Sequence, residues 1–293
     1  MRVIIFQSPG RPASQEISMV LEAVGISSEL VRSEHGWAVV VRESDAAAAD
    51  AEIHEYGQDK AAEPPEPGTG SPRLGGAFVG ILFYVSILIA VAVLNQVSAY
   101  GVDWMAVGEM RAGGVMSGQL WRTITALTLH ADLQHLLSNL AFGSVFGLLA
   151  GRILGGGFAW LAIIIGGGLG NFLNAALRDP AHLSIGASTA VFAALGVLVA
   201  LALRPPAAQR AETAMKRWSP LIGGVLLLAT LGLEGERTDV LAHVTGFIAG
   251  LLVGGLCSAL PSRLLASENA QFAAGFAAML LIAASWLAAI ALA

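Results

Sequence analysis

Ser188 lies in Gly186-Ala187-Ser188-Thr189-Ala190, which opens a long apolar run ending near Arg204. Small residues on either side leave room for a second helix to approach closely. A second apolar run opens with Ala242-His243 and continues Val244-Thr245-Gly246, with Gly250 and Gly254 following at intervals of four. That spacing puts the histidine and the three glycines on one helix face. A hydroxyl and an imidazole at the starts of two such helices suit one chemistry: the imidazole takes the proton as the oxygen attacks an acyl carbon. A third cluster, His130, His135 and Asn139, surrounds the start of another apolar run. His135 and Asn139 are four apart, so they share a face, and both can donate to the oxyanion that acyl transfer develops. His130 falls off that face and reads as a loop anchor.

Each residue also has a plainer use. Serines in membrane helices bond to backbone carbonyls and mark packing sites. His130, His135 and His243 could together offer three nitrogens to a metal, but no carboxylate in the apolar runs is spaced to accompany them. No metal and no cofactor is therefore expected. His182, beside Asp179 and Pro180, reads as exposed, and so do His35 and His54.

The elements that must position these side chains lie in a bilayer. Of 293 residues 55% are hydrophobic and 13% charged, against about 25% charged in soluble domains. Eighteen of the charged side chains fall in residues 1–73, leaving nineteen for the other 220. A short polar domain is thus followed by a polytopic membrane protein. The net charge is −5 and twelve of the twenty-one acids lie in residues 1–73, so nothing suggests nucleic-acid binding. The one cysteine, Cys257, excludes an intramolecular disulfide and a thiolate metal cluster. Val3-Ile4-Ile5-Phe6 is too short for the apolar core of a signal peptide.

Residues 1–58 read as a small α+β, ferredoxin-like cytoplasmic domain. A strand over 2–8 is followed by a helix through Ile17, Val20, Leu21 and Val24 with Ser14 as its cap. Two strands, 29–32 and 37–41, come next, then a helix from Asp45 as cap to Tyr56. Residues 59–75, rich in proline and glycine, form a flexible linker. Apolar runs then predict seven spans, near 77–97, 134–150, 158–177, 187–203, 220–233, 240–260 and 272–292. With the N-terminus inside, the inner loops hold Arg73, Arg152, Arg204, Arg210, Lys216, Arg217 and Arg263, and the outer loops hold Arg111, Arg122, Arg178 and Arg237. That excess of inner basic residues favours this orientation. The fourth and sixth spans then both start at the outer face, with Ser188 and His243 at similar depth. The 36 or so residues after the first span hold Trp104, Met105, Met110, Trp121 and Arg122 and suit short interfacial helices; Trp121 also fits an aromatic belt.

Four stretches in order resemble the rhomboid intramembrane serine proteases: Trp121-Arg122, the run from His130 to Asn139 (HADLQHLLSN), Gly186-Ala187-Ser188-Thr189-Ala190, and Ala242-His243-Val244-Thr245-Gly246. The resemblance covers nearly all of residues 77–260. It implies an α-helical polytopic membrane protein with a rhomboid-like bundle of six transmembrane helices over 76–261 and a seventh over 262–293. It implies Ser188 as nucleophile and His243 as general base in a dyad without aspartate. His135, Asn139 and the Ser188 backbone N–H would form the oxyanion site. Phe192, one turn after Ser188, would support the imidazole where many members carry an aromatic hydroxyl. Gly186 and Gly246 would allow close approach, Trp121 and Arg122 would build the loop after the first span, and His130 would anchor its end. Many members carry a glutamate near the inner end of the second span; here the chain reads Ala150-Gly151-Arg152.

The implied activity is hydrolysis of transmembrane segments of single-pass or polytopic membrane proteins. Such a substrate needs a locally weak helix, because a regular helix hides its carbonyls. Access is expected beside the short fifth span and the loop 234–239. The implied setting is a bacterial inner membrane, with the N-terminus cytoplasmic and the site toward the outer face. The rival readings are a rhomboid-like pseudoprotease that binds membrane segments without cutting, whose mark would be loss of Ser188 or His243, and a transporter, which would need internal repeats that the chain lacks.

Overall fold

The computed structural model describes residues 1–33, 36–62, 73–203, 222–223 and 239–292. Contacts divide the chain into two units, Met1–Gly70 and Ser71–Ala293.

The first unit runs β1 (Arg2–Ser8), α1 (Arg11–Ala23), β2 (Ser28–Ser33), β3 (Gly36–Arg42) and α2 (Ala46–Ala62). Its antiparallel sheet has the order β1-β3-β2. Ile17 and Leu21, one turn apart on α1, pack on Val39, Val41 and Ala49. Ser14 does not cap this helix. Gly10 is its extended N-cap and a proline follows in the first turn, where the fixed φ of proline suits a helix start and its missing N–H costs nothing. Ser14 instead lies buried inside α1 and donates to the Trp37 carbonyl at 2.9 Å. Helix α2 extends to Ala62 and α3 begins at Arg73, so both ends of the expected 59–75 linker are helical.

The second unit holds α3 (Arg73–Gln96), α4 (Trp104–Gly108), β4 (Met110–Arg111), α5 (Ala112–Met116), α6 (Arg122–Thr125), α7 (Leu133–Leu154), α8 (Gly156–Leu177), β5 (Leu183–Ser184), α9 (Ser188–Leu203), α10 (Val240–Cys257), α11 (Ser262–Ala266) and α12 (Glu268–Leu292). Among the described residues five helices are long and apolar enough to cross a bilayer: Gly76–Gln96 within α3, then α7, α8, α10 and α12. Helix α9 has 16 described residues and is buried along almost its whole length. It is the central rod, and its neighbours wrap it. Apart from 222–223 and Asp239, the expected fifth span, 220–233, and the access loop 234–239 lie outside the described residues.

Between α3 and α7 the chain makes short helices tied together by Arg122. That buried guanidinium donates from Nη1 to the carbonyls of Ala106 (3.1 Å) and Glu109 (2.8 Å) and from Nε to Gln119 Oε1 (2.5 Å). It thereby satisfies carbonyls that the end of α4 leaves open. Trp121 is half-buried in a cluster with Trp104, Leu129 and Trp286.

Candidate active site

Helices α9 and α10 touch backbone to backbone. A Cβ at Gly246 would strike the Thr189 carbonyl oxygen, one at Gly250 the Ala193 carbonyl, and one at Gly254 would lie 2.7 Å from Val197 Cα. The partners advance in the same sense on both helices, so α9 and α10 run parallel and begin at the same end. Ser188 precedes Thr189, and His243 lies three residues before Gly246. The glycine stripe thus brings the two chemically able side chains to one level. In a bilayer, where apolar side chains gain little by leaving lipid, such close small-residue packing holds helices together.

The imidazole of His243 is 7% exposed. The Phe192 ring stacks on it, with centroids 4.4 Å apart and planes inclined by 23°. Phe192 follows Ser188 by one turn, so the same helix that carries the hydroxyl also orients the imidazole. Its Nδ1 finds no hydrogen-bond partner among the described residues, so ring packing sets its orientation.

Ser188 opens α9 and is half-buried. Gly186 before it has φ +124°, and a Cβ there would lie 2.6 Å from His135 Nε2 and 3.6 Å from Ser188 Oγ. Glycine is required twice over, by the backbone angle and by the space. The His135 ring and the Ser188 hydroxyl therefore border the same small space. Asp132 fixes His135 by capping α7, its carboxylate accepting the His135 N–H at 2.8 Å. Asn139, one turn on, is buried and turns one amide N–H back to the His135 carbonyl at 3.1 Å.

His130 packs edge-on against His135 with centroids 5.0 Å apart, and its Nε2 accepts the Ala187 N–H at 3.4 Å. The Gly186 N–H donates to the Ala126 carbonyl at 2.9 Å. Two successive backbone groups before Ser188 are therefore pinned to the loop that follows α6. Trp121 and Arg122 stand at the start of α6, before that loop, and the structure records no contact of theirs with Ser188 or His243. Among the described residues no three His, Cys, Asp or Glu side chains are placed to hold a metal.

Accepting the Ala187 N–H requires a neutral His130. Burial, and then the neighbouring His135, push its pKa down to about 3. Between pH 6.5 and 3 the folded protein thus binds fewer protons than the unfolded chain. Its contribution is complete above about 6.5 and is lost as the pH falls, with a slope of at most about 1.4 kcal/mol per pH unit. Thermal melts in detergent should show a steeper slope over this range in wild type than in His130→Gln, which keeps an acceptor that does not titrate. Equal slopes would refute the assignment.

No spacing in the chain singles out Asp239. It caps α10, accepting from the Ala242 N–H, and also takes Asn174 Nδ2 (2.7 Å), Arg178 Nη2 (2.8 Å) and His182 Nε2 (2.8 Å). His182 is therefore not a free surface residue as its loop position suggested: it is half-buried against this carboxylate. Burial alone would raise the Asp239 pKa, but the hydrogen bonds from His182, Arg178, Asn174 and Ala242 outweigh it and hold the carboxyl well below the usual range. Asp239 releases its stabilisation only below about pH 4, so it overlaps the His130 window only at the acid end.

The chain matches the rhomboid domain over residues 117–260. It is 30% identical to the putative rhomboid protease YdcA of Bacillus subtilis over 146 residues, 49% of this chain and 70% of that protein. It is 31% identical to rhomboid-like protease 2 of Toxoplasma gondii over 63% of this chain and 64% of that one, so it spans just under two thirds of that relative's length. Rhomboid protease GluP of Bacillus subtilis matches at 26% identity over 62% of this chain and 34% of its own. With its apolar helices and these relatives, the chain belongs to the rhomboid family and is an integral multi-pass membrane protein.

Proposed function

We propose that the protein is an intramembrane serine endopeptidase that cleaves transmembrane segments through an acyl-enzyme. Ser188 Oγ attacks the scissile carbonyl while His243 takes its proton, then returns it to the leaving amine. Water follows the same route to release the acyl group. The helix start at Ser188 favours the oxyanion through the positive end of the dipole. His135, the second N–H of Asn139 and the Ser188 backbone N–H are the donors assigned to it. The proposed arrangement has seven spans, a cytoplasmic N-terminal domain and a site opening to the outer face of a bacterial inner membrane. Substrates would be membrane proteins with a helix-weakened segment.

The observation that carries this reading is the parallel packing of α9 on α10, with Phe192 stacked on His243 one turn from Ser188. A pseudoprotease would have the same fold without use for that stack. Wild type and Ser188→Ala, purified in detergent, decide between them. A single-span substrate should be cut only by wild type, and a fluorophosphonate should label only wild type. Product from both proteins, or from neither across several substrates, would overturn the proposal.

A further inference from the structure

We infer that Asp239 is a positioning residue for the Ser188–His243 pair, acting as a bridge between the segment that delivers the serine and the helix that carries the histidine; this rests on the proteolytic reading above. The bridge is built from three separate parts of the chain. Asn174 and Arg178 stand one turn apart at the end of α8, and both donate to the Asp239 carboxylate. Asn174 is fully buried, so this end of α8 is tied to Asp239 below the surface. His182 comes from the loop between α8 and Ser188. On its other side the loop is held by backbone: the Ala112 N–H donates to the His182 carbonyl at 3.0 Å, and the Gly113 N–H to the Pro180 carbonyl at 2.9 Å. Met110 and Arg111 then pair with Ser184 and Leu183. Only three residues separate Ser184 from Ser188. A displacement of His182 is therefore passed along a hydrogen-bonded segment to the nucleophile.

On the other arm, the carboxylate accepts the Ala242 N–H, and the Asp239 carbonyl accepts the His243 N–H at 3.3 Å. Asp239 thus starts the helix at the residue where the imidazole must be aimed. Simple capping needs one acceptor contact, and aspartate or asparagine serves it about equally. The three further donors on one carboxylate exceed that need. They make sense if the position of the helix start relative to the serine loop matters, since about 1 Å of misplacement can cost on the order of a hundred-fold in rate.

Fluorophosphonate labelling tests the bridge without a substrate. Ser188 Oγ forms a bond to phosphorus, the P–F bond breaks, fluoride leaves, and His243 takes the hydroxyl proton. The labelling rate constant and the half-saturating probe concentration are measured separately on the full-length protein. The rate constant reports sites that are folded, whatever fraction of the sample they form. Asp239→Asn preserves the cap but removes the charge and one acceptor oxygen. It should slow labelling about ten-fold with half-saturation within about two-fold of wild type. His182→Ala should slow it similarly, and the double variant should be no slower than the slower single one, because both changes break one link.

Losses that multiply in the double variant would show two independent effects and overturn the bridge. So would a normal rate in either single variant, or a change confined to half-saturation. Failure of wild type itself to label would instead bring down the proteolytic reading on which this rests.

Discussion

Gly246→Ala should lower both substrate cleavage and fluorophosphonate labelling by about a hundred-fold or more, while Gly255→Ala leaves both unchanged. The two glycines lie on one helix and differ in what a methyl group would meet. At Gly246 the new carbon strikes the Thr189 carbonyl oxygen and comes within 3.0 Å of Thr189 Cγ2. Helix α8 crowds the same point: a Cβ at Gly170 would lie 2.6 Å from Gly246 Cα and 2.9 Å from Thr189 Cγ2. At Gly255 nothing lies within 4 Å. The clash involves backbone, which cannot rotate away as a side chain can. One or both helices must shift, and the shift falls between the residue after Ser188 and the residue three past His243. Displacing base from nucleophile by about 1 Å is worth on the order of a hundred-fold. Labelling at the wild-type rate in Gly246→Ala would mean that α9 and α10 do not set the Ser188–His243 approach.

The arrangement of this candidate site was legible where it is written in local intervals. Gly246 follows His243 by three, and Gly250 and Gly254 continue at intervals of four; Phe192, four after Ser188, was singled out by the family resemblance. Intervals of that kind translate into one helix face without knowledge of the fold. His130 as a loop anchor was also readable, since it sits outside the face shared by His135 and Asn139. What escaped detection was joined across distance. Asp239 collects donors from Asn174, Arg178 and His182, and no spacing in the chain announces that these meet. By its position Asp239 reads only as the end of the loop 234–239. His182 looked exposed because it neighbours Asp179 and Pro180, which mark a turn but say nothing of what the turn rests on. Ser14 misled for a related reason: a serine near a helix start suggests a cap, yet proline and glycine upstream had already begun the helix, and the hydroxyl found the Trp37 carbonyl instead.

The C-terminal helix offers the second large effect, this one on stability. Gln271→Leu should lower the unfolding free energy in detergent by about 3 kcal/mol, while the labelling rate constant of the molecules that remain folded stays near that of wild type. The side chain of Gln271 makes four hydrogen bonds, three of them to the junction of α7 and α8 and one to α11. Its Oε1 accepts from the N–H groups of Gly157 (2.9 Å) and Phe158 (3.2 Å), and its Nε2 donates to the carbonyls of Leu154 (2.7 Å) and Leu265 (2.8 Å). Gly155, with φ +82°, turns the chain there and brings no side chain to cap either helix. The last carbonyls of α7 and first N–H groups of α8 are open groups that a helix cannot satisfy internally. Gln271 supplies both kinds of partner from a helix more than a hundred residues away. Leucine matches its bulk but leaves all four groups without this partner, at a cost of about 1–3 kcal/mol for each that water cannot reach. The junction lies at the ends of α7 and α8 opposite His135 and the Asp239 bridge, so the loss should fall on folding more than on alignment at Ser188. Gln271→Glu keeps the acceptor and loses the donor, and should retain part of the stability. A Gln271→Leu protein that melts with wild type would show that α12 is held to the α7–α8 junction by lipid-facing packing alone.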